Sequence, residues 1–120
     1  MTKLTPSDIT KFSQKALILT HQIQELLRLL DSFEEKEPVP PEEREFIRSF
    51  NKILENCRKL FALDSEFSDA ISHLTDGDLS SSGINVQWEV RRLATQLRIL
   101  KVTLDAFLEW LKFKERKEDT

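Results

Sequence analysis

The chain has no tyrosine, two glycines (Gly77 and Gly83) and a single cysteine, Cys57. Each scarcity removes a class of structure. A fold of strands and tight turns needs positive φ at many positions, which two glycines cannot supply. The same poverty argues against an enzyme built on loops. One cysteine cannot close an internal disulfide. No stretch approaches the ~20 apolar residues of a membrane span, and Met1-Thr2-Lys3-Leu4-Thr5-Pro6 lacks the apolar run of a signal peptide. The expected compartment is therefore the reducing cytoplasm, with no membrane partner. A net charge of −3 gives the whole molecule no pull toward nucleic acid or an anionic surface.

What is present is an amphipathic pattern over 120 residues, 39% hydrophobic and 32% charged. That is too apolar for a disordered chain and as charged as long helices with wet faces require. The length suits one domain, 1–120, with one core.

Thr5-Pro6-Ser7-Asp8 reads as a helix start, with Thr5 as N-cap, Pro6 in the first helical position and Asp8 answering the free amides. Ile9, Phe12, Ala16, Leu19, Ile23, Leu26, Leu30 and Phe33 then recur at three-and-four spacing, which places all of them on one face. This predicts a helix over 6–35. Pro38-Val39-Pro40-Pro41 cannot continue it and predicts a stiff connector. A second helix over 41–63 follows, with Glu42, Glu43 and Glu45 near the positive end of its dipole. Its seam is Phe46, Phe50, Ile53, Cys57 and Leu60, widened by Ile47, Leu54 and Phe61. At Leu63-Asp64-Ser65 two readings stay open: one helix from 41 to 76, or a break with Asp64 or Ser65 capping a short helix over 65–76 that carries Phe67, Ile71 and Leu74. A break is favoured slightly. Residues 76–83 are rich in turn formers. A last helix over 85–116 has the seam Val86, Val90, Leu93, Leu97, Leu100, Leu104, Phe107 and Leu111.

Together these predict an all-α fold: an elongated, antiparallel up-down-up bundle of three long helices, counted as four if the middle one breaks near Asp64-Ser65.

The last helix carries a second apolar stripe. At 100° per residue, Trp88, Ile99, Val102, Ala106, Trp110 and Phe113 fall in one narrow arc, far around from the first seam. Either the middle segment covers it within the chain, or another molecule does. Exposed, two tryptophans and a phenylalanine form an apolar patch at or above what soluble monomers tolerate. The expectation is a homodimer or protein-partner surface on these six residues.

Catalytic and metal constellations fail on spacing. Neither His21 nor His73 has a glutamate three residues before it, as a di-metal bundle needs; Ile18 and Ala70 stand there. Cys57 lies in a helical seam, where a small buried hydrophobe is the ordinary reading. No glycine-rich phosphate loop and no Gly-x-Ser-x-Gly is present. Asp76-x-Asp78-x-Ser80 begins like a calcium loop, but Ser81 replaces its glycine and Gln87 its bidentate glutamate. No catalytic residue, metal, cofactor or small-molecule substrate is expected.

Charge is divided unevenly. Residues 84–117 hold eight Lys/Arg against four acids, whereas 1–83 hold ten against fifteen. A basic helix lying along acidic ones explains this structurally. The functional alternative is a small nucleic-acid-associated subunit using Arg91, Arg98, Lys101 and Lys112, although Asp105 and Glu109 interrupt that face. The preferred expectation is a non-catalytic helical-bundle protein acting by protein–protein interaction, as an adaptor, a regulator or a small assembly subunit that self-associates through its last helix.

Overall fold

The computed structural model describes residues 4–35, 40–81 and 84–118. Pro38 and Val39 of the expected connector, and Gly83, lie outside them. Helices account for 85% of the described residues, and no strand occurs among these. The four helices are α1 (Pro6–Glu35), α2 (Pro40–Phe61), α3 (Ser65–Ala70) and α4 (Ile84–Glu118).

The start of α1 follows from its first four residues. Thr5 N donates to Asp8 Oδ2 at 3.1 Å, and Asp8 N donates to Thr5 Oγ1 at 3.1 Å, a reciprocal capping box. Its seam residues Ile9, Ala16, Leu19, Ile23 and Leu26 are buried, with Phe12, Leu30 and Phe33 half-buried against them. Every predicted seam residue of α2 is buried, as is every one of α4. The helical period alone placed these side chains in the core.

The break at Asp64 occurs, so the chain takes the four-helix form. Asp64 Oδ1 accepts from the backbone N–H groups of Glu66 at 2.9 Å and Phe67 at 3.4 Å, which caps α3. The helix expected over 65–76 ends at Ala70, however. Ile71 and Leu74, both buried, follow it in successive turns.

The physical reason lies in the direction of α4. Ile47 and Leu93 meet at Gly77, and the rings of Phe61 and Phe107 have their centroids 5.2 Å apart. Both pairs have the same sequence offset, so α2 and α4 run parallel. An up-down-up order with α4 antiparallel to the middle segment is therefore not what forms. Residues 62–81 carry the chain back along the bundle instead. Phe67 lies beside Phe107, and Asp78 N reaches Glu89 Oε2 at 2.5 Å. From Glu89 to Phe107 is about 27 Å of helix, but a helix from Phe67 to Asp78 would cover only about 17 Å. The return segment has to unwind to reach.

Unwinding leaves backbone groups that need partners, and side chains of α2 and α4 supply them. Arg58 Nη2 donates to Leu74 O at 2.9 Å. Gln96 pairs with both polar groups of Thr75, donating to its O at 2.8 Å and accepting from its N at 3.1 Å. Asn51 does the same for Gly77. No buried side-chain nitrogen or oxygen lacks a partner among the described residues.

α1 runs opposite to α2. Phe33 meets Phe46 at one end (6.1 Å between centroids), while Phe12 and Lys15 share a groove with Lys59 and Leu60 at the other. The largest helix–helix interface is between α1 and α4. The molecule measures 56 × 24 × 17 Å, about the length of α4 alone in its long direction.

Candidate functional site

The two apolar stripes of α4 meet different fates. The first packs on α1 and α2. The other faces outward over most of its length, because three helices and a thin return segment cannot surround a fourth face. Trp88 is 62% exposed, Val102 69% and Phe113 50%. Ala106 is exposed as well. Ile84, one turn before Trp88 in the same arc, is 68% exposed and extends the stripe to the start of the helix. The stripe expected from the sequence starts only at Trp88, although the same 100° rotation places Ile84 on it.

Ile99 and Trp110 are different. Both are half-buried and pack against the core. Trp110 lies 5.6 Å from the Phe67 ring and 5.6 Å from Phe107, with Lys114 Nζ 5.5 Å above it. Phe61, Phe67, Phe107 and Trp110 form one aromatic cluster, in which edge-to-face contacts add to the burial. α3 thus covers Trp110 from within the chain, whereas Ile84, Trp88, Val102 and Ala106 stay exposed.

The rims of the stripe differ in chemistry. On one side, Arg92 binds the return segment: its Nε meets Glu89 Oε1 at 2.6 Å, and its guanidinium also donates to Thr75 Oγ1 and Asp76 O. That hydrogen bonding holds the Glu89 carboxyl below the usual carboxylate range, with the Asp78 backbone N–H adding to it. On the other side, Arg91, Arg98, Asp105 and Glu109 are exposed in a row. The Arg91 guanidinium lies 5.5 Å over the Trp88 ring. Of the residues considered for phosphate contact, Arg91 and Arg98 are exposed, Lys101 is partly covered, and Lys112 pairs with Glu109 at 3.4 Å.

No family model matches this chain, and comparison with curated proteins and with solved structures returned no match.

Elsewhere the chemistry is sparse. His21 and Glu25 of α1 share a shallow groove of about 370 Å³ with Ser49 and Lys52 of α2. The Glu25 carboxylate is taken by Arg28 at 2.6 Å. Asp76 pairs with Arg58 at 3.3 Å, and Asp78 Oδ1 accepts from both the N–H and the hydroxyl of Ser80. The acidic loop thus spends its carboxylates on holding its own shape. Among the described residues no three His, Cys, Asp or Glu side chains are grouped to hold a metal ion. Nor is any described helix long and apolar enough to cross a membrane.

Proposed function

We propose that this chain is a non-catalytic binding module, an adaptor, regulator or small subunit of an assembly, that recognises protein through the outer face of α4. One observation carries this reading: Ile84, Trp88, Val102 and Phe113, all half-exposed or more, lie on one line along the helix. Large aromatic and branched side chains in such a line act as anchors when a partner surface desolvates them. The helix beneath is fixed by a continuous core, so binding them costs little ordering of the backbone.

The test is a photo-crosslinking amino acid placed at Trp88 or Val102 in the living host. A discrete adduct, absent when the probe sits at Glu25 on the opposite side, supports the reading. No adduct from either position ends it. The alternative of a nucleic-acid-associated subunit is favoured only by the excess of Lys/Arg on α4, and predicts a salt-dependent shift of labelled RNA. An RNA shift lost on Arg91→Ala/Arg98→Ala would put that reading first.

A further inference from the structure

The outer stripe of α4 becomes its own complement when a second copy lies along it in the opposite direction. Trp88 and Phe113 are equally far from the midpoint between Leu100 and Lys101, and so are Ile99 and Val102. An antiparallel copy centred at that height sets Trp88 against Phe113 of the second copy, and Ile99 against its Val102. Thr95, which the 100° rotation places in the same arc, and Ala106 are both small and exposed, and they oppose each other in this register, which lets the helices approach.

The exposed rim obeys the same centre. Arg91, Arg98, Asp105 and Glu109 follow one another along one edge of the stripe, basic before the midpoint and acidic after it. A two-fold axis perpendicular to the helices lays this edge against the same edge of the second copy, in reverse order. Arg98 then meets Asp105 of the second copy, and Arg91 meets its Glu109, both within about one residue of the midpoint that the apolar pairs define. The symmetry makes each pair twice. Within one chain, Arg98 and Asp105 have no ion-pair or hydrogen-bond partner among the described residues. Parallel pairing lacks this property. It lays this edge against the opposite edge of the other copy, where Arg91 meets Arg92 at equal height and like charges repel, and where neither Arg98 nor Asp105 meets an opposite charge at its own height.

We infer that the occupant of this face is a second copy of the same chain, docked antiparallel on α4 about a two-fold axis at the height of Leu100–Lys101, with Arg91–Glu109 and Arg98–Asp105 pairs joining the copies. This rests on the outer face of α4 being the binding surface. The apolar stripe supplies the affinity, and the charge order supplies direction and register, the usual division between such groups.

Light scattering at micromolar concentration tests it. The wild type should have twice the 14.1 kDa mass of one chain. Arg98→Asp alone, or Asp105→Arg alone, opposes like charges at two places and should weaken the dimer roughly tenfold or more. The double variant Arg98→Asp/Asp105→Arg restores both pairs with reversed sign and should return the wild-type affinity. All three keep their helical circular dichroism, because both residues are exposed. A monomeric wild type overturns the inference. So does a double variant no tighter than the singles, or single variants that dimerise unchanged. Val102→Glu separates the two claims. A dimer that survives it uses another surface and overturns the register, and the binding-face reading falls with it when the Trp88 photoprobe also captures no protein. A monomeric wild type whose Trp88 photoprobe still captures a different protein overturns the second copy alone.

Discussion

Asn51 holds Gly77 by both polar groups of its backbone: its Oδ1 accepts from Gly77 N at 2.6 Å and its Nδ2 donates to Gly77 O at 3.1 Å. A side-chain amide here does the work of a neighbouring strand. Asn51→Ala leaves a partly buried N–H and C=O unpaired and should cost about 1–3 kcal/mol. Gly77→Ala should cost a similar ~1–3 kcal/mol by overpacking, since the new Cβ would lie 2.6 Å from Leu93 Cδ1 and 2.7 Å from Ile47 Cγ2. Urea unfolding measures both. Losses below about 0.5 kcal/mol in both variants would mean that the return segment is not docked as described.

The two stripes of α4 should respond oppositely to truncation. Leu97→Ala removes a fully buried side chain and should cost about 2–5 kcal/mol. Val102→Ser, on the outer face, should leave the stability of the monomer within about 0.5 kcal/mol. Equal losses would place both stripes in one core.

Phe67 is the lid on Trp110. Phe67→Ala should raise iodide quenching of tryptophan fluorescence, because Trp110 loses its edge-to-face cover, while far-ultraviolet circular dichroism changes little. Trp110→Asp, by contrast, puts a charge into the aromatic cluster and should unfold this end of the molecule. It is therefore a poor probe of association, and Val102 is the better one. Unchanged quenching in Phe67→Ala would show that α3 does not seal the cluster.

Burial pushes the Cys57 thiol up to about 12. The thiolate is the reactive form, so Ellman's reagent should react with the native protein at pH 8 only as fast as the chain opens, and at once in denaturant. Rapid native labelling would contradict the packing of α2 against its neighbours.

Glu89 gives a pH dependence of defined sign. Hydrogen bonds from Arg92 and from the Asp78 backbone hold its carboxyl below the ordinary value in the folded state. The stabilisation it brings is present above the ordinary glutamate pKa and is lost as pH falls through the depressed folded value. The stability difference between wild type and Glu89→Gln should therefore be largest near neutrality and shrink in acid. A difference that grows toward low pH would reverse the assignment.

The seams were legible because a helix repeats every 3.6 residues whatever it packs against. Leu93, Leu97, Leu100 and Leu104 could only share a face. The Thr5–Asp8 box was legible for the same local reason. The end of α3 was not: Ile71 and Leu74 keep helical spacing, and what unwinds the chain there is the distance it must cover to start α4 parallel to α2. That is a tertiary demand with no local signature. Trp110 illustrates the limit for the candidate site. Rotation about α4 places it with Trp88 and Val102, but only the position of Phe67 decides which of the three is covered. Arg98 and Asp105 were visible as an interrupted basic face, and that interruption is what gives the rim its direction.

The large α1–α4 interface also bears on how the chain is made. During synthesis α1 and α2 can pair as a hairpin while the face that α4 will cover stands open to water. At the usual elongation rate the last residue of α4 follows the last of α2 by on the order of 3–11 s. For that interval Leu97, Leu100 and Leu104 are missing from the seam, and the nascent hairpin shows chaperones and proteases an apolar groove about 33 Å long, the length of the 22-residue α2. Slower codons across residues 62–83 would lengthen that exposure without changing a single contact in the folded molecule.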